Sequence, residues 1–246
     1  VRERLAACWL RFRSGTGPAY VVAVAGALWA VNRWFRPGTF VATGDMGPFI
    51  RDGWRPGVLW SWGQSTTGAG SATYTMARWY EFVLLDVVHA LGGSDTLAQR
   101  LFYCTIYSLV AVGVASLAAA FTRSRTAIAF AGLLGIFNGF FLTRLPNPLN
   151  ILSIATCALI AAVLVRAGLG RKLPAPLLAL AMLPMSFLSF NPPMLVVALG
   201  WMVAGVPLLV LAVFGWRAAG RVLAYGVRAA PWAVALNLFW LIPFAQ

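Results

Sequence analysis

Long apolar runs separated by short polar punctuation dominate this chain. Runs at 19–34, 97–121, 127–142, 149–165, 174–190, 194–214 and 229–244 approach the roughly 20 apolar residues that a helix needs to cross hydrocarbon, and they predict seven spans. The punctuation is compact: Thr122-Arg-Ser-Arg-Thr126, Thr143-Arg-Leu-Pro-Asn-Pro148 and Asn191-Pro-Pro193 each close one run and open the next. One connection is different. Residues 36–96 form a long polar, Gly-rich first external loop, and within it 75–91 has the spacing of an amphipathic helix. At 100° per residue Met76, Trp79, Tyr80, Val83, Leu84, Val87, Val88 and Leu91 gather on one face, opposite Arg78, Glu81, Asp86 and His89. Charge at that density is costly across a bilayer, so this helix is expected to lie along the surface with its polar side in water.

Composition agrees with the pattern. Of 246 residues, 61% are hydrophobic and 10% charged, with a mean hydropathy of +0.80, whereas soluble domains carry about 25% charge. Lipid must be the solvent that organises such a chain, and the expected class is an all-α, polytopic transmembrane helical bundle. The net charge of +13 does not point to nucleic acid, because the 19 basic residues sit in short clusters between apolar runs. That placement is a topology signal and suits an anionic membrane surface.

Twelve basic residues fall on one side of the predicted spans: Arg2, Arg4, Arg11, Arg13, Arg123, Arg125, Arg166, Arg171, Lys172, Arg217, Arg221 and Arg228. Seven fall on the other: Arg33, Arg36, Arg51, Arg55, Arg78, Arg100 and Arg144, of which four lie in the one long loop, where the rule loosens. The amino terminus is therefore expected in the cytoplasm and the chain in the plasma membrane. The first apolar run has no small-residue cleavage site before polar sequence and reads as a retained helix. Because the sequence stops at Pro243-Phe-Ala-Gln246 on the end of an apolar run, a longer protein is expected to continue on the outer side. Cys8, Cys104 and Cys157 suggest neither a disulfide framework nor a metal pattern, and a lone His89 excludes a two-histidine site within this chain.

With only six acidic residues, each is worth asking about. Asp45 and Asp52 stand in the first external loop, where Gly44, Gly47 and Pro48 turn the backbone just after the first span. A carboxylate there can take a proton from an acceptor hydroxyl or hold a divalent cation; the plainer reading is that Asp45 caps a turn or a short helix starting at Pro48. Asp52, flanked by Arg51 and Arg55, reads as a surface ion pair or as an acceptor contact. Trp60 and Trp62 suit stacking on a sugar as well as the bilayer interface, and the Gly/Ser/Thr run 63–73 is compatible with a lid. Arg100 and Arg144, at the outer ends of two spans, are candidates for a lipid phosphate, or else snorkel to headgroups.

The layout of an inside amino terminus, one span, a long outer loop opening with Gly44-Asp45, a surface helix and short-looped spans resembles the GT-C superfamily of membrane glycosyltransferases. The finer resemblance is to the arabinofuranosyltransferase D type of mycolic-acid-bearing envelopes. It is carried by Gly44-Asp45 with Pro48, Trp60-Ser-Trp-Gly63, Ala98-Gln-Arg-Leu101, Asn191-Pro-Pro193 and Asn237-Leu-Phe-Trp-Leu-Ile-Pro243. The resemblance implies transfer of arabinofuranose from decaprenyl phosphate to an envelope glycan such as arabinogalactan or lipoarabinomannan, with Asp45 as catalytic base or metal ligand. Its partners would be the polyprenyl-phosphate sugar, the glycan acceptor and membrane lipid. Two rivals stand beside it. A transporter or flippase predicts ionisable residues at span centres, which hold none. A non-catalytic membrane scaffold predicts nothing that the sequence contradicts.

Overall fold

The computed structural model describes residues 15–36, 38, 39, 41, 63, 64, 70, 71, 79–139, 148–190 and 192–244. Nearly all are helical. In chain order the helices are α1 (Gly17–Trp34), α2 (Trp79–Ala90), α3 (Asp95–Phe121), α4 (Arg125–Ile136), α5 (Pro148–Gly168), α6 (Pro176–Met182), α7 (Pro192–Gly200), α8 (Val206–Phe214) and α9 (Trp216–Phe244). A 3-10 segment, Leu183–Phe190, continues α6, and a π turn, Trp201–Gly205, joins α7 to α8. The described exception is a two-residue antiparallel ladder in the first loop, pairing Gly63 with Ser71 and Gln64 with Gly70.

Three helical stretches are long and apolar enough to cross a membrane: Asp95–Phe121, Asn150–Gly168 and Leu195–Phe214. The other expected runs are helical in part. The run 19–34 matches α1, whose last turn carries Asn32 and Arg33. The run 127–142 gives the twelve-residue α4, about 18 Å long at 1.5 Å per residue and too short to span alone. In 174–190 the α-helix gives way to the 3-10 segment at Leu183, next to Pro184, which has no N–H to donate and whose ring crowds the preceding turn. At the last run the helix begins at Trp216, well before the expected 229. Ala218, Val222, Tyr225 and Ala229 recur at helical spacing on its buried side. Arg221 and Arg228 in that stretch are helix-borne, not loop residues.

α3 is the central post, with α1, α4, α5 and α2 packed around it. Small residues set the distances. α1 buries Ala19, Ala23, Ala27, Ala30 and Val31 along one stripe. Opposite it a Cβ on Gly132 of α4 would lie 2.7 Å from the Ala23 Cβ and 3.1 Å from the Ala111 carbonyl of α3, so only glycine permits this approach. One core joins α1, α2, α3 and the start of α5; a second joins the end of α5 to α6, α8 and α9. Large apolar side chains also cover the outside, including Trp29, Phe130, Val197, Val203 and Leu208. That is the expected surface of helices solvated by lipid.

α2, expected as the surface helix, shows one departure from expectation. Glu81, placed in the water-facing arc, is fully buried, in a stripe with Leu85 and Val88; Asp86 is exposed as expected, and Val83, Val87 and Leu91 also face outward. In lipid the apolar arc of a helix need not be the arc that packs on its neighbour, so a helical wheel identifies the faces without saying which one docks.

Candidate functional site

The α2–α3 corner holds Val41, at the start of the first loop, against the body of the protein. α2 ends in a tight turn: the Gly92 N–H donates to the His89 carbonyl at 2.9 Å and the Gly93 N–H to the Val88 carbonyl at 2.8 Å, with Gly92 at φ 79°, where glycine is the unstrained choice. Ser94, extended, then caps α3, its Oγ accepting from the Leu97 N–H at 3.3 Å. Asp95 follows in the first turn, favoured by the positive helix end, and its Oδ1 sits 2.7 Å from His89 Nε2.

One turn on lies Gln99, fully buried. Its amide accepts from the Val41 N–H at 2.6 Å and donates to the Val41 carbonyl at 2.8 Å. A side-chain amide thereby stands in for a strand neighbour and satisfies both backbone groups of one loop residue. Around the clamp is a wall of rings. Trp34 meets Tyr107 edge-on at 4.8 Å between centroids, Phe35 lies 5.2 Å from Tyr103, and Tyr80 6.1 Å from Phe102. The Tyr80 hydroxyl donates to Thr105 Oγ1 at 2.7 Å, which in turn donates to the Leu101 carbonyl at 3.0 Å. Burial pushes the Tyr80 phenol above its ordinary pKa, and the Thr105 hydrogen bond offsets part of that rise.

Arg100 follows Gln99 directly. It is half-buried; its Nε is enclosed and makes no hydrogen bond among the described residues, and its charge lies near Cys104 one turn on. Of the candidates named from the sequence it is the one the structure describes. Asp45, Asp52, Trp60, Trp62 and Arg144 lie outside the described residues. Among the described residues no three of His, Cys, Asp and Glu come together as metal ligands.

Gln99 went unnoticed as a functional residue in the sequence. The signal was present: with Tyr103, Ile106 and Val110 it shares one buried stripe of α3, and an amide on an apolar stripe needs partners. A separate apolar cavity of about 460 Å³ opens between α5, α6, α7 with its π turn, α8 and α9, lined by residues such as Leu164, Met182, Leu199, Met202 and Val227. It contains no candidate residue and suits a hydrocarbon chain. Comparison with known proteins returns no match: no family model fits the chain, and no curated protein or solved structure is similar to it.

Proposed function

We propose that this chain is the membrane part of a glycosyltransferase of the GT-C type, with seven spans, a cytoplasmic amino terminus and its chemistry at the outer face of the plasma membrane. The reading moves a sugar, arabinofuranose in the finer form of the resemblance, from a decaprenyl-phosphate donor to an envelope glycan. The observation that carries it is the Gln99–Val41 clamp. Val41 precedes Asp45 by four residues, which reach about 14 Å at full extension. The clamp therefore tethers the carboxylate-bearing loop to the turn of α3 that carries Arg100.

The chemistry needs little more. Asp45 takes the acceptor hydroxyl's proton as its oxygen attacks the anomeric carbon; the bond from that carbon to the phosphate oxygen breaks, and the charge left on the lipid phosphate is met by Arg100 and Arg144. Asp52, Trp60 and Trp62 contact sugar or acceptor. If a divalent cation takes part, Asp45 and Asp52 are its ligands, and no step above depends on it. The lipid carrier stays in the bilayer while its head reaches water.

Transfer from radiolabelled polyprenyl-phosphate arabinose by the full-length protein in membranes tests the reading. Loss of a general base lowers transfer by about 10²–10⁴-fold, so Asp45→Asn is expected to fall into that range at normal expression. Full transfer by that variant removes Asp45 from the chemistry. Wild-type protein that moves labelled lipid across a vesicle bilayer without glycosyl transfer decides for the flippase.

A further inference from the structure

The opposite end of the bundle holds a cavity that the proposed transfer does not use. It measures about 590 Å³ and is lined, among the described residues, by the residues just before α1, the end of α3 with its loop, the first residue of α4, the end of α5 and the loop after α5. Arg123, Arg125, Arg166 and Arg171 line it, together with Thr16 and Thr122. No carboxylate lines it among the described residues. The described acidic residues, Glu81, Asp86 and Asp95, stand on α2 and the first turn of α3, at the far end of a helix whose 27 residues measure about 40 Å.

Two of the four arginines carry no structural duty. Arg166 is committed: its Nη2 donates to the Ser116 carbonyl at 3.1 Å and lies 3.4 Å from the Tyr20 hydroxyl. The neighbouring carbonyls are also served, because Arg221 Nε donates to the Gly168 carbonyl at 2.8 Å and Arg228 to the Leu173 carbonyl at 3.0 Å. Those bonds cover carbonyl oxygens that would otherwise repel an anion. The side chains of Arg123 and Arg171 are exposed, and neither guanidinium forms a hydrogen bond or ion pair with another described residue; the Arg171 backbone N–H donates to the Arg166 carbonyl at 3.0 Å. Polar walls and two guanidinium groups, those of Arg123 and Arg171, without a side-chain partner among the described residues call for a phosphate.

The cavity's depth says where that phosphate comes from. Two membrane-length helices, α3 and α5, end on it. An α3 of about 40 Å matches a bilayer including its headgroup layers, so its last turn reaches the level of lipid phosphodiesters. Exposed apolar groups adjoin the lining residues along the chain: Phe121, next to Thr122, stacks on Phe214 at 6.0 Å, and Leu169, between Arg166 and Arg171, is partly exposed. We propose that this cavity is a binding site for the phosphodiester headgroup of an anionic membrane lipid, held by Arg123 and Arg171 with Arg125 and Arg166 behind them, while the lipid's chains lie along the neighbouring apolar surface.

Native mass spectrometry of the purified chain with dioleoylphosphatidylglycerol, dioleoylphosphatidylcholine and inorganic phosphate tests this. An arginine near a lipid headgroup contributes about five-fold in affinity. Arg123→Gln and Arg171→Gln are each expected to weaken phosphatidylglycerol retention by about that factor, and the double variant by about 25-fold. Neither side chain holds the fold by a hydrogen bond to a described residue, so unfolding temperatures stay at the wild-type value. Arg217→Gln, a surface arginine of α9 outside the cavity, is expected to change retention less than two-fold, and phosphatidylcholine to be released first. Equal weakening by Arg217→Gln means diffuse surface attraction and overturns the site. Equal retention of phosphatidylcholine, or displacement of phosphatidylglycerol by millimolar phosphate, overturns the lipid occupant.

Discussion

The two ends of α3 solve opposite problems with different chemistry. At the first turns, a neutral amide beside a wall of aromatic rings holds one loop residue by both its backbone groups, and Arg100 keeps a buried Nε without a hydrogen bond among the described residues. At the last turns no amide appears among the described residues; arginines from α5 and α9 reach over to backbone carbonyls, and the Arg123 and Arg171 side chains are left over. An amide has both a donor and an acceptor and can fix a loop's register, whereas a guanidinium can only donate and collects acceptors, whether carbonyls or phosphates. The first end is therefore built to position a segment of this chain, the second to gather negative charge from outside it.

If the first end is a clamp, its loss should produce the largest effect on stability. Gln99→Leu keeps the volume but strands the Val41 N–H and carbonyl and places the penalty at a half-buried site. A stranded buried backbone group costs about 1–3 kcal/mol, so a loss of about 2–4 kcal/mol is expected in thermal unfolding in detergent. Gln99→Glu retains the acceptor but turns a carboxylate oxygen toward the Val41 carbonyl at a fully buried site, and should cost at least as much as the leucine. In the glycosyl-transfer assay the leucine variant should lose turnover beyond its loss of folded protein, since the loop that carries Asp45 is no longer tethered. A leucine variant that unfolds like the wild type shows that water serves Val41 as well as Gln99 does.

At the other end Arg166→Met should cost less. It removes a charge-assisted donor from Ser116 and a contact to Tyr20, but the site adjoins a polar cavity where water replaces part of what is lost. Such bonds contribute about 1.5–3 kcal/mol when dry, and about 1–2 kcal/mol is expected here by the same unfolding measurement. A cost as large as that of Gln99→Leu means that the second end is as specifically built as the first, and erases the contrast.

The helices of this molecule were legible in its sequence because lipid demands long apolar runs, and α1, α3 and α5 match the expected runs closely. What was hidden has physical reasons. Arg217, Arg221 and Arg228 look like loop residues to a topology rule, yet two of them cap carbonyls from the side of a continuous α9. Glu81 carries the mark of an exposed charge, but its position on the wheel does not say which arc docks. The cavity arginines come from separate segments, each of which reads alone as a positive-inside signal, so only the fold brings them together. Of the candidate site the sequence marked Arg100 and passed over Gln99, whose duty depends on a partner 58 positions away.

The smallest expected effect is the best control on the contrast, because it concerns a device used at both ends. Ser94 caps α3 and Ser124 caps α4; both are extended, and both Oγ atoms accept from the N–H three residues on, at 3.3 Å. A cap is a local matter of orphan N–H groups and does not depend on what the rest of that end is for. Removing a serine cap costs about 1 kcal/mol, and Ser94→Ala and Ser124→Ala should lower the unfolding midpoint by similar, small amounts. A markedly larger loss at Ser94 has a specific meaning: the cap sets the axial position of α3's first turns, so losing it also shifts Gln99 off Val41. Transfer activity separates the cases. A purely local cap loss leaves turnover per folded molecule unchanged, while a displaced clamp lowers it along with stability.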